Sequence, residues 1–290
     1  MSFKIVVLAK QVPDTRNVGK DAMKADGTVN RAALAAIYNP EDLNALEQAL
    51  RLKSKIEGAT VHILTMGPAR AAEIIRESMY RGADGGYLLS GREFAGSDTL
   101  ATSYALACAI RKIGTVDLIL CGRQAIDGDT AQVGPQVAEK LGLPQITYAE
   151  EILEVSDQKI TVKRRLERGV EVVRGPLPMV VTVDGSAPGC RSRHAKLTLK
   201  YKHAATPSEK QDAGSDYTNF YDSKPYLNIT EWGVNDIEHD IQWLGLTGSP
   251  TKVKQIENVV FTAKESKRLT AGDIEIEDLM KELIANHTIG

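Results

Sequence analysis

The fold is decided by one stretch of sequence, which reads Cys121-Gly122-Arg123-Gln124-Ala125-Ile126-Asp127-Gly128-Asp129-Thr130-Ala131-Gln132-Val133-Gly134-Pro135. An apolar run at 116–120 precedes it, and Val133, Val137 and Leu141 follow at the spacing of one helix face. This order of strand, glycine-containing loop and amphipathic helix is typical of an α/β protein.

The loop in this stretch has the chemistry of an anion site. A helix that starts directly after a strand leaves its first backbone N–H groups free, and such groups bind phosphate. Gly128 has no Cβ, so the backbone can approach a ligand closely there. Asp129 or Thr130 is expected to cap the helix, and the Thr130 hydroxyl can also donate to a phosphate oxygen. The pattern also fits an ordinary capped turn, and it matches neither common glycine-rich nucleotide motif.

Strands and helices alternate along the chain as far as about residue 145. Apolar runs at 4–9, 61–66 and 86–89 predict further buried strands, each followed by a helical pattern. We therefore predict an α/β fold with a doubly wound, mainly parallel, Rossmann-like sheet. Ligands of such sheets lie at the carboxyl ends of the strands, so Ala9 and Met66 are expected to line a crevice with the loops before two helices.

A second loop of this crevice precedes the helix that begins near residue 98. Ser97 or Asp98 is expected to cap it, and Thr99 and Thr102 then share one face of its first turn. Two hydroxyls near the positive end of a helix suit a phosphate or the edge of a flavin. They also fit a local role, in which they satisfy backbone groups of their own helix.

The pattern changes after Pro144. Short antiparallel strands are predicted at 152–155, 159–166, 170–174 and 179–183. Residues 184–228 are expected to form an exposed loop, and 274–284 a short amphipathic helix. We divide the chain into an α/β nucleotide-binding domain at 1–228 and an extended C-terminal arm at 229–290, which is expected to pack on another subunit.

Composition excludes several functions. The 290 residues carry a net charge of −2, which argues against nucleic-acid binding. No apolar run reaches the roughly 20 residues of a membrane-spanning helix. The three cysteines have no metal-binding spacing and suit a reducing cytoplasm. We find no nucleophile with a neighbouring histidine and therefore predict no catalytic side chains, but a cofactor that carries the chemistry.

Four motifs in order resemble the beta subunit of electron transfer flavoproteins over nearly the whole chain. They are Val7-Leu8-Ala9-Lys10-Gln11-Val12-Pro13-Asp14, Asn39-Pro40-Glu41-Asp42, the stretch 122–135, and Leu246-Thr247-Gly248-Ser249-Pro250-Thr251-Lys252-Val253. The segments 96–103 and 124–132 are similar to the electron-bifurcating branch of that family. In that branch a second FAD replaces AMP in the crevice, and NADH delivers hydride to it.

The resemblance implies a set of cofactor-binding residues: Ala9, Asn39, Asp42, Met66, Thr99, Thr102, Gly122, Gln124, Asp127, Gly128, Asp129, Thr130, Ala131, Gln132 and Val133. Residues 127–133 would hold the diphosphate, and Thr99 and Thr102 would contact the flavin. Ala9, Asn39 and Met66 would line the adenosine end. Small residues such as Ala95, Gly96 and Ala101 would leave depth for the flavin ring.

The resemblance also implies partners. These are an alpha subunit, ferredoxin or flavodoxin as one electron acceptor, and a flavoprotein dehydrogenase as the other. The family's partner-recognition loop has a different sequence here, at 184–203, and an insert follows it. Both an acyl-CoA or enoyl-CoA dehydrogenase and a lactate dehydrogenase therefore remain open. The alternatives are a non-bifurcating beta subunit that holds AMP and a regulatory protein that binds ATP or AMP without flavin.

Overall fold

A nine-stranded sheet forms the centre of the molecule, in a computed structural model that describes residues 3–14, 34–212, 218–251, 269–270 and 272–285. The described strands, of which β2 and β3 form a separate two-stranded sheet, are β1 (Lys4–Leu8), β2 (Gln11–Pro13), β3 (Ala36–Tyr38), β4 (Thr60–Met66), β5 (Gly85–Leu89), β6 (Leu118–Gly122), β7 (Gln145–Ser156), β8 (Lys159–Leu166), β9 (Gly169–Pro176), β10 (Met179–Val183) and β11 (Thr230–Trp232). The helices are α1 (Pro40–Lys55), α2 (Ala72–Arg81), α3 (Thr99–Ile113), α4 (Val133–Leu141), α5 (Ala195–Tyr201), α6 (Pro207–Asp212), α7 (Thr218–Ser223) and α8 (Asp273–Ala285).

The order of the strands is β11-β5-β4-β1-β6-β10-β7-β8-β9, and the pairs from β11 to β7 are parallel. From β1 the chain moves outward to β4 and β5 and then returns to β6 on the other side of β1. The strand order therefore reverses between β1 and β6, and the crevice of a doubly wound sheet opens at their carboxyl ends. The predicted fold class is confirmed, with an antiparallel addition formed by β7, β8 and β9.

Two apolar layers cover the sheet, one on each face. Ile5 and Val7 of β1 pack with α1 and α2, whereas Val6 and Leu8 of the same strand pack with α3 and α4. This alternation follows from the two-residue period of a strand, and it explains why β1 is an unbroken apolar run. Helix α1 begins with Pro40 at its first position and ends with lysines in its last turn, as its sequence predicts.

The segment at 179–183 was predicted to be antiparallel, and that prediction is wrong. Strand β10 lies between β6 and β7 and is parallel to both. All five of its residues are buried, which is the signature of a central parallel strand rather than of a meander. The two-stranded antiparallel sheet of β2 and β3 was not predicted, because residues 10–14 were read as a loop.

The described residues of the region 184–228 include helices, in contrast to the exposed loop that was predicted. The region contains α5, α6 and α7, and its Tyr201 and Leu227 are buried in the apolar layer that includes α1 and α2. Arg191 anchors it to α1, because its guanidinium and its backbone N–H both bind the Glu47 carboxylate at 2.9–3.1 Å. Further along, β11 pairs with the outer edge of β5, and the short helix predicted at 274–284 is α8.

Candidate functional site

The carboxyl ends of β1 and β6 are joined by one buried carboxylate from α1. Asp42 is 6% exposed, and its two oxygens accept hydrogen bonds from the backbone N–H groups of Lys10 and Gly122, each at 2.9 Å. Burial raises the pKa of Asp42 to about 7, although these N–H donors act in the opposite direction. A Cβ on Gly122 would lie 2.5 Å from an Asp42 oxygen, so glycine is required for this close approach.

The start of α1 also holds residues 124 and 126, in the loop that follows β6. Asn39 is fully buried; its amide donates to the Gln124 carbonyl at 2.9 Å, and its oxygen accepts from the Ile126 N–H at 3.2 Å. The Gln124 N–H donates to the Glu41 carboxylate at 2.9 Å. The polar side chains of this turn therefore fix the course of the chain from 122 to 126.

The cations near the loop are already paired with carboxylates. The Lys10 ammonium lies 2.8 Å from Asp127. The Arg123 guanidinium lies 3.1 Å from Glu41 and 3.4 Å from Asp184. An anionic ligand on this loop would therefore depend more on backbone N–H groups than on these two cations.

Residues 128–132 form an open continuation of the loop. Asp129 and Ala131 have left-handed φ values of 48° and 52°, and 128–130 are exposed. Within the described part of the chain, the backbone N–H groups of Thr130, Ala131 and Gln132 donate to no acceptor. A left-handed residue followed by a right-handed one, as at Ala131 and Gln132, turns successive N–H groups toward one side and creates a concavity for anions. This arrangement fits a phosphate group.

The predicted cap of the following helix is wrong. Helix α4 begins at Val133, and Gln132 occupies the cap position without a side-chain cap hydrogen bond. With left-handed backbone at Asp129 and Ala131, the cap lies three residues after Asp129 and two after Thr130. Among the described residues, no side chain therefore accepts from the first N–H groups of α4 as a cap would.

The start of α3 is capped by Asp98, as predicted. One carboxylate oxygen accepts from the N–H groups of Leu100 and Ala101 at 2.9 and 3.0 Å, and the other accepts from Thr251 at 3.0 Å. Partial desolvation acts to raise the pKa of Asp98, but these backbone donors outweigh it and hold that pKa below its usual value. Ser249 also accepts from the Asp98 N–H at 2.9 Å. The motif at 246–251 thus packs on the start of α3 in its own chain.

Side chains connect the starts of α3 and α4. The Thr99 hydroxyl donates to the Gln132 amide oxygen at 2.9 Å, and the Gln136 amide nitrogen lies 3.5 Å from the same hydroxyl. The Gln136 oxygen is buried and has no hydrogen-bond partner in the described part of the chain. The two helix starts that were predicted to flank one crevice therefore do lie side by side.

The remaining residues of the predicted set lie around these helix starts. Ala9 is 7% exposed at the end of β1, where its N–H donates to Leu64, and Met66 is half-buried at the end of β4. Thr102 is half-buried one turn after Thr99. The structure therefore brings the predicted set to one edge of the sheet, and which of these residues touch a cofactor stays a prediction.

The small residues expected to provide depth behave differently. Ala101 is buried at 1% exposure, so it does not line an open crevice. A Cβ on Gly96 would lie 2.6 Å from the Leu246 side chain, so Leu246 already fills that position.

Two cavities flank the loop. One of about 540 Å³ lies on the side of α1 and is lined by Glu41, Arg123 and Asp129 among others. Another of about 320 Å³ lies beside β2 and β3 and is bordered by Arg70 and Asp127. No helix in the described ranges has the length and apolar character needed to cross a membrane.

Sequence reasoning missed four residues of this site: Lys10, Glu41, Arg123 and Gln136. The first three act on parts of the chain that are more than 80 residues distant, as the pairs Lys10–Asp127 and Arg123–Glu41 show. Gln136 carried a signal, because it follows Gln132 by four residues and shares its helix face.

Comparisons with known proteins agree with this architecture. A family model described as the electron transfer flavoprotein domain matches residues 26–206. An acryloyl-CoA reductase electron transfer subunit gamma from Anaerotignum propionicum is 53% identical, with 99% of this chain and 100% of that protein covered. An electron transfer flavoprotein subunit beta from Megasphaera elsdenii is 42% identical over 88% of this chain and 87% of its own length. A caffeyl-CoA reductase-Etf complex subunit from Acetobacterium woodii is 50% identical over 62% of this chain and 68% of its own length.

Proposed function

The chain belongs to the electron transfer flavoprotein family as a beta subunit, and from this premise we propose that it binds FAD and takes part in electron bifurcation. The observation that carries the proposal is the meeting of two helix starts at the reversal of strand order. There, the backbone N–H groups of Thr130, Ala131 and Gln132 have no acceptor among the residues that the structure describes. An FAD diphosphate needs such donors, since the neighbouring cations are engaged with carboxylates.

In this proposal the cofactor supplies the redox chemistry. Bound FAD would accept hydride from NADH and pass on the two electrons separately, one to ferredoxin or flavodoxin and one through an alpha-subunit FAD to a flavoprotein dehydrogenase. The chain's own residues position it: the segment 127–133 holds the diphosphate, and Thr99 and Thr102 face the flavin. Ala9, Asn39 and Met66 border the adenosine end. Asn39 and Asp42 also fix the loop through their hydrogen bonds to Gln124 and Gly122.

The dehydrogenase partner is proposed to be of the acyl-CoA or enoyl-CoA type rather than a lactate dehydrogenase. Two of the relatives carry the names of acryloyl-CoA and caffeyl-CoA reductases, whose substrates are both unsaturated thioesters of coenzyme A. The arm at 229–290 is proposed to pack on the alpha subunit through its last helix, because β11 and the motif at 246–251 already pack on this chain. The complex is proposed to work in the cytoplasm. The exposed Ile274, Ile276 and Ile284 of α8 support a partner for this arm.

A beta subunit that holds AMP is the second candidate. The Leu246 side chain occupies the space beside Gly96, and the Thr99–Gln132 hydrogen bond spans the gap between the two helix starts. Both features favour a smaller ligand unless they rearrange when FAD binds.

The nucleotide released on denaturation decides between these candidates. The chain would be purified with its alpha subunit, denatured, and the supernatant analysed by chromatography for FAD and AMP. We expect two FAD for each pair of subunits. One FAD with one AMP would overturn the proposal in favour of the second candidate.

A further inference from the structure

Strand β9 forms one end of the central sheet, and its outer edge has no neighbour among the described residues. It pairs with β8 along all eight of its residues, and no strand in the described ranges pairs with its other side. The opposite end of the sheet is β11, which has only three residues, all half-buried, and its Trp232 stacks on Tyr87 with 4.7 Å between the ring centroids. A long free edge such as that of β9 is the position at which a sheet accepts a further strand.

Apolar side chains line this edge on the face turned away from the core. Val170 and Val172 are 52% and 61% exposed, and they lie opposite Arg165 and Lys163 of β8. Val173 lies on the other face, where it packs against the core. Edge strands of natural proteins often carry charged side chains or proline, which prevent pairing with another chain. The two valines in the middle of β9 lack that protection, so the edge is suited to bind another strand.

The hairpin that carries this edge is positively charged. Residues 163–174 contain five basic and two acidic residues, which gives them a net charge of +3. Two of the basic residues share the Glu150 carboxylate of β7, so a positive excess remains. Arg174 lies on the face of the two valines and binds the Ser156 hydroxyl at 3.3 Å, but it has no carboxylate partner in the described part of the chain. A strand that suits this edge therefore brings a carboxylate of its own.

We propose that the edge of β9 binds an extended, acidic segment of the alpha subunit, which continues the sheet across the subunit boundary. The backbone of that segment pairs with β9, its apolar side chains cover the two valines, and a carboxylate pairs with Arg174. A second copy of this chain is disfavoured, because it would bring together two hairpins of equal positive charge. The inference rests on the proposed function for the identity of the partner, and it does not depend on which nucleotide is bound.

The affinity of the full-length chain for the alpha subunit tests this inference. Wild type and Val172→Lys would each be titrated with the alpha subunit by isothermal calorimetry. We expect Val172→Lys to bind at least about tenfold more weakly, because it places a further positive charge in the middle of the apolar contact. Leu199→Lys is the matched control, since Leu199 is 69% exposed on α5, outside the sheet. This variant should bind within about twofold of wild type.

A charge series at Arg174 tests the acidic character of the partner segment. Arg174→Gln removes the cation, and Arg174→Glu reverses it. We expect the affinity for the alpha subunit to fall in that order, and the wild-type affinity to fall as the salt concentration rises. Equal affinities for the three proteins would show that the partner segment is not acidic and would overturn the inference in this form.

The other outcomes that overturn the inference can be told apart. If Val172→Lys binds as wild type does, the alpha subunit does not use this edge. A markedly lower melting temperature of the variant alone would show that another part of the same chain covers the edge. Self-association that Val172→Lys abolishes, measured by sedimentation, with binding to the alpha subunit intact would assign the edge to a second copy. A wild type that binds no alpha subunit would overturn the proposed function as well, whereas the other outcomes leave that function standing.

Discussion

The loop between β6 and α4 has two halves that are built in opposite ways. The held half, 122–127, is fixed by hydrogen bonds or ion pairs with Asn39, Glu41, Asp42 and Lys10. In the open half, 128–132, the N–H groups of Thr130, Ala131 and Gln132 have no acceptor in the described part of the chain. The two halves therefore differ in whether other parts of the protein hold their backbone. One half is fixed by protein groups, which a ligand therefore cannot use, and the other has donors that the proposed function assigns to an anion.

The largest effect is expected from the charge of Asp42, which the held half depends on. Its pKa rises from 3.8 to about 7 on folding, because burial disfavours the ionised form. A raised pKa stabilises the fold fully at pH values below that of the unfolded group, and this contribution is lost as the pH rises through the folded value. Wild type should therefore lose up to about 4 kcal/mol relative to Asp42→Asn between about pH 4 and about pH 7.

Urea unfolding of both proteins at several pH values measures this difference. The pKa values of Glu47 and Asp98 are lowered, and these groups act in the opposite sense at more acidic pH. Both groups are present in both proteins, so their effects cancel in the comparison. Curves of unfolding free energy against pH that run parallel would show that Asp42 does not titrate in this range.

A glycine in each half gives the second test. Gly122→Ala places a Cβ 2.5 Å from an Asp42 oxygen and 2.8 Å from the backbone of α1, so the strand or the helix must shift. We expect a loss of about 3 kcal/mol in unfolding free energy. Gly128→Ala meets no atom within 4 Å and should change stability by less than about 0.5 kcal/mol. Similar losses in the two variants would remove the distinction between the halves.

Asn39→Ala tests the held half without overpacking it. The substitution leaves the Gln124 carbonyl and the Ile126 N–H without their partner, and Asn39 itself is fully buried. We expect unfolding free energy to fall by about 2 kcal/mol, measured by urea denaturation. Asn44→Ala is the control, because Asn44 donates to carbonyls at 185 and 187 and not to this loop. Only Asn39→Ala should also weaken nucleotide binding.

The sequence supports the fold more firmly than it supports the held half. The unbroken apolar runs predict the parallel strands, and Pro40 and Asp98 mark two helix starts correctly. The contacts of Asn39 and Asp42 with the loop join residues 80 or more positions apart, so no local pattern reveals them. The start of α4 was misplaced for a different reason. Left-handed backbone is more common for aspartate, as at Asp129, but alanine rarely adopts it, so residue type does not predict it at Ala131.

The smallest effect is expected in the open half, from Thr130→Ala. Thr130 is exposed, and its N–H has no acceptor in the described part of the chain. Replacing its side chain by that of alanine should therefore change the unfolding free energy by less than about 0.5 kcal/mol. If its hydroxyl donates to a phosphate oxygen, binding of FAD or AMP should weaken by about 1 kcal/mol. Thr130→Ser keeps the hydroxyl and should bind as wild type does. Titration calorimetry of the three proteins decides the matter: equal affinities would leave phosphate recognition to the backbone N–H groups alone, because these are unchanged by the substitution.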